Sequence, residues 1–453
     1  MDTTQSSPMR TTLEQSTIRK VIVRLVPFMA LMFFINFLDR TAIGFAAPNG
    51  MNEDLGLSAA QFGFASGVFF IGYILLEVPS NIALHRFGAR RWLARIMVTW
   101  GIVAVLFTFV QTYTQLVSLR FLLGVAEAGF FPGAILFLSL WVPSRYRSKI
   151  LGLFYLAQPL TTVIGAPLAG WLLSHDGAFF GLAGWRFMFL GVGLPAIVVG
   201  VVAWFYLTDN PAKATWLTLE QRTWLSDELE FERETKTDHG AKHPSVKLAL
   251  SSGRVWVLGL IYFGFIYGLY TLAFFLPTII GGFEDQFGVT FSYMQKGLIT
   301  AIPYLPAAVA LYLVTRHATK HGVKTGHIAI PAVIGAVSIP LALFAHSPAV
   351  TIAIITVTAS AIFAALPNFW TVPTQFLTGV GAAAGIALIN TMGNVAGFAA
   401  PYVTGYLKDS TGDYKVPMFV VGGFMLLSAI LMVLLNRRGK VAEEPGTEIP
   451  VGH

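Results

Sequence analysis

An apolar stretch from about residue 117 to 141 carries one cation, Arg120, and one anion, Glu127. Seven residues are close to two helical turns, so a helix there turns both side chains to one face. A charge at bilayer depth is costly and by default faces a cavity or a partner. Asp39 and Arg40 pose the same problem in the first apolar stretch, and Glu77 poses it near the end of the second. Asp39, Glu77 and Glu127 are the only acids inside apolar segments, and the nine histidines fall in loops, tails or segment ends. Proton chemistry at depth would therefore rest on carboxylates. Asp39 and Glu127 are the expected carriers, since a carboxyl in a low-dielectric site can bind a proton near neutral pH. The competing reading makes them structural ion pairs, Glu127 with Arg120 and Asp39 with a basic neighbour.

Arg40 is the expected ligand for a substrate carboxylate. Its planar guanidinium meets a carboxylate in two hydrogen bonds, which a lysine cannot do. Adjacent helical residues diverge by about 100°, so a direct Asp39–Arg40 pair is awkward. Asn36 lies one turn earlier and could bind a substrate hydroxyl. Tyr73 offers an apolar face with one hydroxyl, and Gln158, just before Pro159, offers an amide that both donates and accepts. Glu77 sits beside Pro79 and a basic connection holding Arg86 and Arg90, where a gating salt bridge is expected. Farther along, Asn390 and Asn394 share a helix face. Tyr262 and Tyr270 lie eight residues apart on one stripe, a pattern more common in packing than in ligand binding.

Elements that span a membrane must position these residues. The chain of 453 residues is 55% hydrophobic and 12% charged, with a mean hydropathy of +0.67. Soluble chains carry roughly a quarter charged residues, so this composition implies an all-α polytopic membrane protein. Twelve apolar segments approach the ~20 residues a bilayer demands: 21–46, 59–84, 92–111, 115–141, 149–174, 185–207, 254–281, 292–315, 326–346, 349–370, 379–405 and 416–436. A six-helix bundle over 1–207, a cytoplasmic central loop over 208–252 and a second six-helix bundle with tail over 253–453 follow from that spacing. Inside the loop, Thr218-Leu-Glu-Gln221 reads as a capping box opening a short amphipathic helix to about Glu234, lying on the bundle or at the membrane surface.

Most of the 30 Lys and Arg residues fall in the N-terminal tail, in the 2–3, 4–5, central and 8–9 connections, and in the C-terminal tail. That bias places both termini in the cytoplasm. It also accounts for the net charge of +7 without nucleic acid. There are no cysteines, which excludes disulfides and thiolate metal sites. The first apolar run is longer than a signal core and continues through polar residues, so it is expected to be retained. No Walker A pattern is present, so the driving force would be an ion gradient rather than a cofactor. A duplicated six-plus-six layout fits a transporter whose halves rock around a midplane site.

Several stretches carry a family resemblance: Phe37-Leu-Asp-Arg40, Glu77-Val-Pro-Ser-Asn81, His85-Arg-Phe-Gly-Ala-Arg-Arg91, Gly124-Val-Ala-Glu-Ala-Gly-Phe-Phe-Pro-Gly133 and Gly165-Ala-Pro-Leu-Ala-Gly170. With them the chain resembles, over nearly its whole length, the anion:cation symporter family of the major facilitator superfamily, in the sugar-acid, tartrate and aromatic-acid branch. The resemblance implies a monomeric, proton-coupled importer of a small organic anion in a bacterial inner membrane. It further implies proton roles for Asp39 and Glu127, a conformational or coupling role for Arg120, and substrate contacts from Trp370 and Asn390. Two positions depart from the superfamily pattern: His85 stands where an Asp is usual, and Thr319 occupies the matching place in the 8–9 loop.

A proton-coupled exporter of drugs or metabolites is the alternative within the superfamily, although Arg40 favours anions. An enzyme is not expected, because no metalloprotease, nucleophile-elbow or intramembrane aspartyl motif lies in the segments. His317 and His321, four apart, read as surface histidines beside a basic loop.

Overall fold

The computed structural model describes residues 8–179, 181–238, 251–376 and 379–442. The described residues form helices joined by short turns, with no strand among them. The first half contains α1 (Pro8–Ala46), α2 (Ala59–Phe87), α3 (Ala89–Leu106), α4 (Tyr113–Glu127), α5 (Phe130–Ser139), α6 (Ser144–Leu173) and α7 (Gly184–Tyr206). After the connecting α8 (Leu219–Asp238), the second half contains α9 (Gly253–Gly281), α10 (Tyr293–Ala301), α11 (Tyr304–His321), α12 (Gly326–Leu341), α13 (Pro348–Phe376), α14 (Gly379–Thr411) and α15 (Lys415–Ala442).

Among the described residues, eleven stretches are long and apolar enough to cross a membrane. The remaining predicted span, 149–174, falls on α6, which is 30 residues long. Several of its side chains between 148 and 156 lie outside the described set. Burying every backbone polar group inside its own helix is what makes such spans viable in hydrocarbon. Local chemistry sets the starts: Ser58 with Gln61 and Ser292 with Gln295 form reciprocal capping boxes at α2 and α10.

The fourth predicted span is not one helix. It breaks into α4 and α5 at Ala128–Gly129, where Gly129 takes φ +84°. A side chain there would meet the Ser80 hydroxyl at 2.4 Å, and Pro132 withholds a backbone donor from the next turn. The eighth span divides in the same way into α10 and α11 around Pro303.

The halves meet along α2 against α14 and along α6 against α10. Both contacts are tightest at the end of the molecule where α1 finishes and α2 begins. A Cβ on Gly405 would stand 2.0 Å from the Ala59 carbonyl oxygen, and one on Gly297 would stand 2.4 Å from that of Ala166. The Asp409 carboxylate fastens the same end, accepting from the Ala59 and Ala60 amides at 3.1 and 2.8 Å. An acceptor there satisfies free donors at the start of α2.

The opposite end is braced by α8. Thr218 and Gln221 exchange the two hydrogen bonds of the expected capping box, and the helix runs to Asp238. Arg145 bridges Glu14 at 2.7 Å and Glu228 at 2.6 Å, while the Ser144 amide and hydroxyl both donate to Glu232 at 2.7 Å. The helix therefore lies on the first half, tying the start of α1 to the start of α6.

Candidate functional site

Between the halves lies a cavity of about 100 Å³. Phe33, Phe37 and Arg40 reach it from α1 at helical spacing, Tyr73 from α2 and Gln158 from α6. The second half supplies Tyr262 and Tyr270 from α9, Trp370 from α13, and Asn390 and Asn394 from α14. Aromatic and aliphatic walls with a few polar groups are the usual make-up of a small-molecule site.

Among the described residues, Arg40 is the one cation lining this cavity. Its Nη2 donates to Glu127 Oε1 in a salt bridge whose side chains are 11% and 0% exposed. Its Nη1 donates to the Tyr270 hydroxyl at 3.0 Å, so a first-half cation touches a second-half phenol. The guanidinium also lies over the rings of Phe69 at 4.9 Å and Tyr73 at 5.3 Å. Cation–π contact of this kind offsets part of the cost of desolvating the charge.

Glu127 therefore pairs with Arg40 rather than with Arg120. Arg120 is fully buried and gives its guanidinium to backbone carbonyls: Ala65 at 3.3 Å, Ser66 at 3.2 Å and Arg40 at 3.4 Å. It stitches α4 to α1 and α2. Asp39 makes no pair with Arg40, in keeping with the divergence of neighbouring helical residues. It is 1% exposed, lies off the cavity wall, and neither carboxyl oxygen has a hydrogen-bond partner among the described residues.

Two expectations need correction. Asn36 does not reach the cavity: the α1 stripe that faces it passes through Phe33, Phe37 and Arg40, which leaves Asn36 on the adjacent, buried stripe. Nor does Glu77 form a salt bridge with the basic connection. It accepts from Asn390 Nδ2 at 2.8 Å and from Asn394 Nδ2 at 3.3 Å, across the interface between the halves. Arg90 instead turns to Asp209, with its backbone amide at 3.0 Å and its Nε at 3.8 Å from the carboxylate. Arg86 lies over the Phe87 ring at 5.6 Å. The His85 side chain lies outside the described residues.

Tyr73, Gln158, Trp370 and Asn390 all line the cavity, as Arg40 does. Sequence reasoning undervalued Tyr270, whose direct bond to Arg40 is hidden in an aromatic stripe that also reads as packing. The eight-residue spacing of Tyr262 and Tyr270 was the available signal, and both rings face the cavity.

A model of the Major Facilitator Superfamily matches residues 29–401. Over 445 residues the chain is 45% identical to a protein of Agrobacterium vitis provisionally named a tartrate transporter, spanning 98% of this chain and 100% of that one. It is 39% identical over 422 residues to the quinolone resistance transporter of Acinetobacter baumannii, spanning 93% and 95% of the two chains. With the inner membrane transport protein RhmT of Escherichia coli K12 it shares 36% identity over 425 residues, 92% and 96% of the chains. Among solved structures, a bacterial homologue of the human lysosomal transporter Spinster superposes with a TM-score of 0.74 at 17% identity, over 93% of this chain and 98% of that one. The xylose transporter XylE of E. coli gives 0.71 at 16% identity, over 91% and 99%. At such identities the structural likeness bears on the fold alone.

Proposed function

The chain belongs to the Major Facilitator Superfamily and is a multi-pass membrane transporter rather than an enzyme; from that premise we propose that it imports a small organic anion together with protons by alternating access. The observation that carries the reading is a guanidinium on the wall of the central cavity whose charge is neutralised by a protonatable carboxylate, Glu127. The tartrate name attached to a 45% identical relative supports a hydroxylated carboxylic acid as the class of substrate.

The proposed coupling is a competition for Arg40. While Glu127 is ionised it occupies one edge of the guanidinium, and a substrate carboxylate arriving there would meet an anion already in place. A proton on Glu127 removes its charge and frees that edge for the bidentate geometry that carboxylates and guanidinium share. The charge on Arg40 is thus balanced by Glu127 or by substrate. In either state Arg40 itself stays paired when the halves rock, whereas enclosing it without a counter-ion would cost several kcal/mol. Asp39 is the second proposed proton carrier, since burying it as an unpartnered anion is costly and its protonated form avoids that cost.

Tyr73, Gln158, Trp370, Tyr270 and Asn390 would surround the rest of the substrate. With the Lys- and Arg-rich end in the cytoplasm of a bacterial inner membrane, the tightly packed end faces outward and the cavity belongs to the inward-facing half of the cycle. The chain is proposed to work as a monomer without a cofactor, driven by the proton gradient.

The test is uptake of labelled tartrate by proteoliposomes holding the full chain. Acid outside should drive accumulation and a protonophore should abolish it. Tartrate entry indifferent to the gradient would remove proton coupling, and export of a preloaded acid up its gradient would reverse the direction.

A further inference from the structure

Glu77 and the two asparagines above it have a chemical asymmetry that the transport reading does not use. An ionised carboxylate only accepts hydrogen bonds, whereas a carboxamide has a donating and an accepting end. Each oxygen of Glu77 takes one amide: Oε1 from Asn390 and Oε2 from Asn394. Four residues apart on α14, these asparagines present one face to α2. Their orientation is therefore fixed by chemistry, since the opposite orientation would set a carbonyl oxygen against a carboxylate oxygen.

Both asparagines also line the cavity. With one N–H committed to Glu77, the Asn390 amide is held in one orientation: its carbonyl oxygen keeps a set place as an acceptor, beside the second N–H. Gln158, which lines the cavity from the first half, has no hydrogen-bond partner among the described residues, so its amide can turn either end toward whatever arrives. Tyr270 is constrained in the other sense: its oxygen accepts from Arg40, which leaves the O–H to donate. The cavity is thus coded. Arg40 and Tyr270 present donors suited to a carboxylate, and the oriented Asn390 amide presents an acceptor that a donor on the ligand can satisfy.

Resting on the anion-transport reading above, we propose that Glu77 is a positioning residue that fixes the Asn390 amide and so makes the cavity select carboxylates bearing a hydroxyl group over equivalent acids without one. A hydroxyl donates to the waiting carbonyl oxygen. A methylene in its place leaves that oxygen without the ligand's donor once the cavity is filled, which is how sites built to bind a hydroxyl reject analogues lacking it.

Tartrate and succinate share a four-carbon diacid frame and differ by two hydroxyls, so they are suitable probes. Dissociation constants for both are measured by calorimetry on the full-length protein and on Glu77→Gln. The wild type should favour tartrate by about tenfold or more, the equivalent of one well-made hydrogen bond. In Glu77→Gln, whose amide can hold Asn390 in either orientation, the ratio should fall to within about threefold. Adding Asn390→Asp should restore it, because the introduced amide at position 77 would then donate to one oxygen of the new carboxylate and leave the other as an acceptor. A purely structural role for Glu77 would weaken both acids equally and leave the ratio unmoved.

An unchanged ratio in Glu77→Gln, or a wild type that binds both acids equally, overturns the inference and leaves anion transport standing. A wild type that binds neither acid overturns both. If Glu77→Gln does not fold, Asn390→Ala answers the same question: it must erase the preference, and a ratio kept at the wild-type value refutes the proposal.

Discussion

Replacing Glu127 with glutamine isolates the proposed coupling. The substitution keeps the length of the side chain and one acceptor oxygen, and removes the charge that neutralises Arg40. Taking one partner out of a buried ion pair costs about 3–5 kcal/mol when nothing replaces it. Here the Tyr270 hydroxyl still accepts from Nη1 at 3.0 Å and the new amide oxygen can accept from Nη2. The cost should therefore lie near the lower end, about 3 kcal/mol, within what a folded membrane protein tolerates.

The functional effect has a definite sign. If Glu127 must take a proton before substrate reaches Arg40, binding consumes that proton. A side chain that cannot take one up lowers by one the number of protons linked to binding. Glu127→Gln cannot lose one, so the slope of log Kd against pH should drop by about one. In proteoliposomes the variant should exchange internal for external tartrate without accumulating it. Accumulation at the wild-type level together with an unchanged slope would refute the competition for Arg40 and return Glu127 to a structural role.

Two other perturbations test different links. Arg40→Ala should abolish tartrate binding and transport, and Arg40→Lys should recover only a small part, because a point charge cannot reproduce the two-pronged contact; unchanged affinity in either would remove Arg40 from the site. Gly405→Leu should wedge apart the end closed against Ala59, where even a Cβ would come within 2.0 Å of a carbonyl oxygen. Single cysteines lining the cavity should then become reactive to an impermeant thiol reagent added at that end, and unaltered labelling would show that this contact does not hold the end shut.

Much of this architecture was legible in the chain because hydrocarbon imposes simple rules. Apolar runs of bilayer length gave the helices: the predicted sixth and seventh spans, 185–207 and 254–281, fall on Gly184–Tyr206 and Gly253–Gly281. The depth of Arg40 and Glu127 was legible for the same reason, since a charge inside an apolar run must find company. Their partners were not. Spacing along one helix suggested Arg120 for Glu127, but Arg120 is satisfied by the carbonyls of Ala65, Ser66 and Arg40, an outcome that depends on how closely α2 approaches α4. Asn36 shows the same limit, because one turn separates it from Arg40 while a small rotation of α1 decides which stripe meets the cavity. Glu77 was expected to seek a cation in the adjoining loop. Two asparagines more than 300 positions away satisfy it instead, and no local pattern could have named them.

The interruption at Gly129 has a mechanical consequence. Arg120 clamps α4 to its neighbours, so the Glu127 carboxylate is held on a fixed arm. Beyond the break, α5 leads to Ser144 and Arg145, which Glu232 and Glu228 of α8 hold. A rod jointed at its midpoint can swing one limb while the other stays put. Bending at this joint would let the far limb move while leaving the registration of the charged pair undisturbed.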